Sequence, residues 1–252
     1  MPSGREDELP PKYAIPLAAT VLGIAVVGVM WQAAFVEPPY VAVVLPSPAV
    51  DEHMLVRATG VAPPTEVAVF AGGCFWGIQA VFQHVAGVTS AVSGYAGGDM
   101  PNPTYDQVAT GASGYAESVE VTFDPDVVSY GTLLQVFFSV AHDPTLYDHQ
   151  GPDFGNEYRS EIFFTSTEQA SVANLYIAQL DAAEVYSSSI MTKVAPLDAF
   201  WRAEDAHQDY VTLHPNTLYV ATNDRPKLAN LRDMFPELWR DDPVRVLGAL
   251  GT

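Results

Sequence analysis

Apolar and polar positions along this chain fall into three regimes. From Ala14 to Val36 no side chain carries a charge, and the run IPLAATVLGIAVVGVMWQAAFV reaches the ~20 apolar residues needed to cross a bilayer core. Residues 37–65 are rich in proline and keep no sustained period, which predicts an extended tether. From Glu66 onward, stretches of period two alternate with stretches of helical period, so a folded domain is expected over 66–245.

Within that domain VAVFAG predicts a short buried strand, after which Phe75, Ile78, Phe82 and Val85 share one helix face. SAVSGYAGG predicts a strand running into a glycine-rich turn. AESVEVTFD alternates strictly and predicts the clearest strand, closed by Asp124-Pro125. SYGTLLQVFFSVAHD predicts an apolar helix and RSEIFFT a strand. Thr165 with Glu168 reads as a capping box that opens a helix to about Tyr186. SIMTKVAP is read as a strand, AEDAHQDY as a short helix, TLYVAT as extended chain and PKLANLRDMF as a last helix. Strands separated by helices indicate a mixed α/β sheet layered against helices.

Composition narrows the function. The 252 residues suffice for one catalytic domain and an appendage. Thirty acidic residues against 11 basic ones give a net charge of −19, which repels phosphate backbones and argues against nucleic-acid binding. The N-terminal flank of the apolar run holds Arg5 and Lys12, whereas the next basic residue is Arg57. That asymmetry predicts a cytoplasmic tail over 1–13, a single transmembrane anchor over 14–36 and a periplasmic domain held at the inner membrane. A cleaved signal and secretion is the competing expectation. The run exceeds the ~7–15 residues of a signal core, and no clean small-x-small site follows it.

The candidate chemistry starts from one thiol. Cys74 is the sole cysteine, so the chain forms no internal disulfide and no thiolate zinc cluster. A strand ending in Gly72-Gly73 and turning into a helix places Cys74 at the helix N-terminus, where free amides and the dipole would stabilise a thiolate. Glu117 shares its parity with Val119, Val121 and Phe123, which points its carboxyl toward the core side. Desolvation there would raise its pKa and make it a proton donor near neutrality. His142 and His207 are read as structural. The Glu204-to-His207 spacing mimics half of a metal site, the other half is missing, and no metal is expected.

Taken in order, GGCFWG, GYAGG, PNPTY, GYAESVEVTFDP, HDPT, QGPDFGNEYRS and AEDAHQDY make this chain resemble the A-type peptide methionine sulfoxide reductases from about Glu66 to Pro215. The resemblance implies an α+β fold, a two-layer α/β sandwich related to ferredoxin-like plaits. It also implies reduction of methionine S-sulfoxide in oxidised proteins or in the free amino acid. It assigns Cys74 as nucleophile and Glu117 as proton donor. Tyr105, Tyr158 and Asp153 would surround the sulfoxide oxygen, and Phe75 with Trp76 would enclose the methyl group. Gln79 stands where relatives commonly have glutamate, Tyr115 where they have histidine, and Asp148-His149 where they have asparagine and a basic residue. Many relatives resolve the resulting sulfenic acid with cysteines near the C-terminus, and none is present here. The implied reductant is therefore external, a thioredoxin-like protein or a small thiol, with no prosthetic cofactor and a monomeric enzyme. The competing class is an anchored cysteine hydrolase or transpeptidase, with a histidine activating Cys74 and help from Arg159.

Overall fold

The computed structural model of the protein describes residues 42–51 and 65–248. The apolar run over 14–36 lies outside the described residues, as do the tail before it and part of the tether. Among the described residues no helix is long and apolar enough to cross a membrane.

Six strands build one sheet: β1 (Glu66–Gly72), β2 (Val88–Ala96), β3 (Ala116–Phe123), β6 (Ser160–Phe164), β7 (Lys193–Pro196) and β8 (Phe200–Arg202). Their order is β7-β6-β1-β3-β2-β8; only β6 and β7 run parallel, and every other neighbouring pair is antiparallel. A separate hairpin joins β4 (His149–Gln150) to β5 (Asp153–Phe154). The apolar run of β1 suits its central place, since it is flanked on both sides and buried over its last five residues.

Helices α1 (Phe75–Gln83), α3 (Tyr130–Val136) and α4 (Thr167–Ala182) contribute to the main core, while α2 (Tyr105–Val108) and α5 (Tyr210–Leu213) are single turns. The main core lies between this helical layer and one face of the sheet. Phe70 of β1 stacks there on Phe82 at 5.0 Å and on Phe137 at 4.9 Å. The opposite face carries a smaller cluster of Val69, Ala71, Ala96, Ala116 and Phe163, packed with Leu197 and Phe200. The mixed α/β expectation therefore holds.

Local expectations shift in two places. Helix α4 is capped by Ser166, whose side chain accepts from the Gln169 amide, one residue later than the Thr165/Glu168 reading. Thr165 lies one residue past the end of β6, and its hydroxyl reaches Val67 O and the Gln169 side chain. TLYVAT is not extended: Val220–Asp224 forms a π-helical turn that runs directly into α6 (Arg225–Met234). Pro226 favours this, because its missing amide sits in the first turn of a helix, where no intrahelical acceptor is needed.

Part of the proline-rich tether is docked on the domain. Val43 N donates to Ser139 O at 3.2 Å, and Gln135 Nε2 donates to Leu45 O at 2.7 Å. Tyr176 OH reaches Pro46 O at 2.8 Å, and Leu45 itself is buried in the main core. Residues 42–48 take no regular secondary structure and are held to the domain by these bonds and by Gln179, whose Nε2 donates to Ser47 O at 3.0 Å.

Candidate active site

The site grows from the β1–α1 junction. Gly73 adopts φ +98°, and a Cβ there would come within 2.6 Å of the Gln150 side chain, so only glycine makes this turn. The turn delivers Cys74 to the N-cap position of α1. On the neighbouring strand the alternation of β3 behaves as its sequence suggests: Glu117 shares its face with the core residues Val119 and Val121 and is 2% exposed. Its Oε2 accepts from the Phe75 amide at 3.0 Å. The carboxyl is thus tied to the helical turn that carries the thiol.

Electrostatics at this pair differ from the local expectation. A helix N-terminus alone would favour a thiolate, yet Cys74 is pushed well above its ordinary pKa. Burial contributes most, followed by the charges of Glu117 and Asp224; contacts with the Trp76 amide and the Tyr219 hydroxyl oppose them and are outweighed. Glu117 is raised to about 8, chiefly by burial, against the lowering effect of the Phe75 amide. Both groups are neutral in the resting site near pH 7.

The tyrosines converge on them. Tyr105, the first residue of α2, is raised to about 12 by burial and then by the charges of Glu117 and Cys74. Tyr158 is also pushed upward, by burial and then by Glu117, Asp153, Tyr105 and Cys74. Phe75 is fully buried, its ring 5.4 Å from that of His207. Trp76 stacks on Tyr210 at 3.6 Å and meets Tyr219 edge-on at 5.7 Å. All seven residues singled out in the sequence lie around one locus or in its wall.

Asp153 takes a partner that the sequence reading did not supply. Its Oδ2 accepts a short hydrogen bond from Tyr219 OH. Tyr219 also bears on the Cys74 sulfur, so it belongs to the site although its segment read as plain extended chain. Tyr219 lies past Pro215, where the motif register ends, and no periodicity shows which distant segment folds over a helix N-terminus.

Asp224 was missed for the same reason. It is 1% exposed, and neither carboxyl oxygen has a hydrogen-bond partner. A Cβ on Gly77 would collide with its Oδ1 and stand 3.1 Å from Lys227 Nζ, which explains the last glycine of GGCFWG. Burial raises Asp224 to about 6. Asp224→Asn removes a charge that presses on the thiol, so Cys74 is expected to ionise at lower pH. The rate of iodoacetamide alkylation against pH reads this, and an unmoved midpoint would contradict it.

Histidines serve the scaffold. His207 stacks on Tyr105 at 4.3 Å and accepts from Trp76 Nε1 at 3.3 Å through Nδ1; burial lowers its pKa. His142 Nε2 pairs with Ser160 Oγ at 2.7 Å. Glu204 holds Tyr95 OH at 2.8 Å and the Tyr105 amide at 2.9 Å, which occupies both oxygens of the apparent metal half-site. Gln79 pairs with Gln208 at 2.7 Å and with the Asp209 amide at 2.8 Å, locking the segment after His207 to α1. Tyr115 is buried with its hydroxyl on Met100 O.

Such a locus has an apolar wall, three phenols, a protonated acid and a thiol, a set suited to a small polarised group with an apolar substituent. A family profile described as peptide methionine sulfoxide reductase matches residues 66–238. The peptide methionine sulfoxide reductase MsrA 2 of Mesorhizobium japonicum is 53% identical over 188 residues, covering 75% of this chain and 96% of the relative. Its namesake in Synechocystis is 46% identical over 194 residues, covering 77% and 89%. Among solved structures, methionine sulfoxide reductase A of Corynebacterium diphtheriae aligns with TM-score 0.53 and 32% identity over 73% of this chain and 89% of that one. Reduced Mxr1 from Saccharomyces cerevisiae aligns with TM-score 0.54 and 28% identity over 65% and 94%.

Proposed function

Because this chain belongs to the peptide methionine sulfoxide reductase family and is an oxidoreductase of that A-type activity, we propose that Cys74 is its nucleophile and Glu117 its acid. The observation that carries this is the 3.0 Å bond between Glu117 Oε2 and the Phe75 amide, which ties a neutral carboxyl to the residue next to the thiol. With Oε2 so engaged, Oε1 carries the proton.

Attack at the sulfoxide sulfur moves negative charge onto its oxygen, and donors aimed there favour the transition state. Glu117 protonates that oxygen while Tyr105 and Tyr158 hydrogen-bond it, Asp153 holds Tyr219 in place, and Phe75 with Trp76 receive the methyl group. The thiol loses its proton to Glu117 as the sulfur–sulfur bond forms, and Glu117 gives it to the oxygen, which leaves as water. A water molecule then adds to the Cys74 sulfur, the sulfur–sulfur bond breaks with its electron pair remaining on the thioether, and the proton that water loses restores Glu117. In balance, Cys74–SH and the sulfoxide become Cys74–SOH and the thioether; the substrate sulfur is reduced by two electrons and the cysteine sulfur oxidised by two.

Only one cysteine exists, so an external thiol completes the cycle. It displaces the hydroxyl of Cys74–SOH as water and forms a mixed disulfide, and a second thiol releases Cys74–SH and carries off the disulfide. A thioredoxin-like protein or a small thiol fits this role, with no prosthetic group. The hydrolase alternative lacks support, since His207 Nδ1 is taken by Trp76 and His142 by Ser160.

The family's A type acts on the S epimer. Offered separate S and R epimers of a capped methionine sulfoxide with dithiothreitol, the enzyme is expected to consume only the S form; equal consumption would defeat the assignment. The charge-free run over 14–36 supports an inner-membrane anchor with the domain outside. Protease should then digest the domain once the outer barrier is opened, and protection behind the cytoplasmic membrane would refute that topology.

A further inference from the structure

Asp209 stands at the N-cap of α5, where an aspartate ordinarily accepts from an amide of the first turn, yet its side chain makes no such bond. It is 1% exposed, and its backbone is left-handed, at φ 55° and ψ 24°. Aspartate enters that region more readily than most residues, but only glycine does so without strain. A buried carboxyl on strained backbone calls for a reason.

The reason lies in its three donors. Oδ1 accepts from Gln83 Nε2 at 2.6 Å and from the Val246 amide at 3.0 Å, and Oδ2 accepts from the Leu247 amide at 2.9 Å. The chain after α6 returns along the end of α1 to reach it: Ala86 N donates to Leu238 O at 2.7 Å, Arg240 N to His84 O at 2.9 Å and Val244 N to Gln83 O at 3.0 Å. The family profile ends at residue 238, so one side of this clamp is built outside the matched region.

What the clamp holds is the pocket wall. The residue after Asp209 is Tyr210, whose ring lies flat on Trp76 at 3.6 Å with an interplanar angle of 9°. Val211, next in α5, packs in one buried cluster with Ala80 of α1 and with Val220, the neighbour of Tyr219. On the other side, Gln208 is fixed by Gln79 and by both backbone groups of Ser93. Trp76 thus rests against a ring whose place is set by α5, and α5 starts from Asp209.

We propose that Asp209, with residues 244–247 seated on its carboxyl, is a positioning residue that fixes the Tyr210–Trp76 wall and so confines the pocket to an S-methyl group. This rests on reading the locus as a sulfoxide pocket. Close-packed interiors transmit small displacements, so freeing α5 lets the wall yield to one further methylene.

The test uses Asp209→Gly and Asp209→Asn in the full chain, with dithiothreitol as reductant and the capped S-sulfoxides of methionine and ethionine as substrates. Glycine keeps the left-handed backbone and removes all three bonds; asparagine keeps the backbone and the Oδ1 acceptor but turns an amino group toward the Leu247 amide. The unmodified enzyme is expected to favour the methyl substrate about 10-fold or more in kcat/KM, the scale of one methylene in an apolar pocket. In Asp209→Gly that ratio should fall to about twofold, with Asp209→Asn between the two. The ratio does not depend on how much enzyme is folded, so a lower melting temperature alone does not move it. Should Asp209→Gly give no folded protein, Asp209→Asn decides alone, with a ratio lowered about threefold expected. An unchanged ratio in the folded variants, whatever their stability, overturns the proposal, as does an unmodified enzyme that takes both substrates equally. If the unmodified enzyme reduces neither, the sulfoxide-pocket reading fails and this inference with it.

Discussion

Cys74→Ser is expected to bring sulfoxide reduction down to background while leaving the fold intact. A hydroxyl is a far weaker nucleophile toward sulfur and gives no sulfenic acid, and the chain holds no second thiol to substitute for it. Folding should not suffer, because position 74 is the N-cap of α1, and serine is among the preferred residues there. The serine hydroxyl can accept from an amide of the first turn, so the variant should melt at or slightly above the temperature of the unmodified protein. Loss of activity at unchanged melting temperature isolates the chemistry from the structure. Residual reduction above background would mean that another group attacks the sulfoxide.

Glu117→Gln carries the second large effect. The amide keeps an oxygen for the Phe75 amide but cannot give up a proton, so the single-turnover rate should fall about 10²–10⁴-fold, the usual general-acid contribution. In the unmodified enzyme the chemical step should weaken as pH rises through about 8, where Glu117 ionises, and this limb should vanish in the variant.

Stability gives an independent readout of the same carboxyl. Its folded pKa is raised from 4.5 to about 8, so the folded state binds more protons than the unfolded state across that interval. The group's effect on stability therefore becomes progressively unfavourable as pH rises through the window. Glutamine has no such dependence. Relative to the unmodified protein, the variant's melting temperature should improve from pH 5 to pH 9; a constant difference would mean that Glu117 is ionised throughout.

Much of this site is legible in local pattern. The alternation of β3 turns Glu117 toward the core, and Gly72-Gly73 before an amphipathic run places Cys74 at a helix start, because strand parity and helix caps are set within a few residues. The thiol's protonation state is less legible. It depends on Glu117 from another strand and Asp224 from the C-terminal part of the chain, whose proximity no local signal reports, and burial overrides the dipole. Tyr219 escaped notice because TLYVAT has the composition of a strand, while its π-helical conformation follows from continuing into α6 and packing against α1. Leu45 and its neighbours read as tether for a similar reason: a short apolar stretch between prolines gives no sign that it will dock 90 residues further along, against Gln135. The cap of α4 moved by one position since Ser166 and Thr165 both precede a polar residue at the required spacing, and sequence alone does not rank them.

A single turnover without reductant bears most directly on the pairing of one thiol with one protonated carboxyl. The enzyme is mixed with excess S-sulfoxide peptide near neutral pH, methionine product is counted, and Cys74 is trapped with a sulfenic-acid reagent for mass spectrometry. One reduced methionine per protein, matched by one trapped sulfenic acid at Cys74 and slowed in Glu117→Gln, is the expected result. Methionine formed with Cys74 still a free thiol, or an acyl group found on its sulfur, would contradict it.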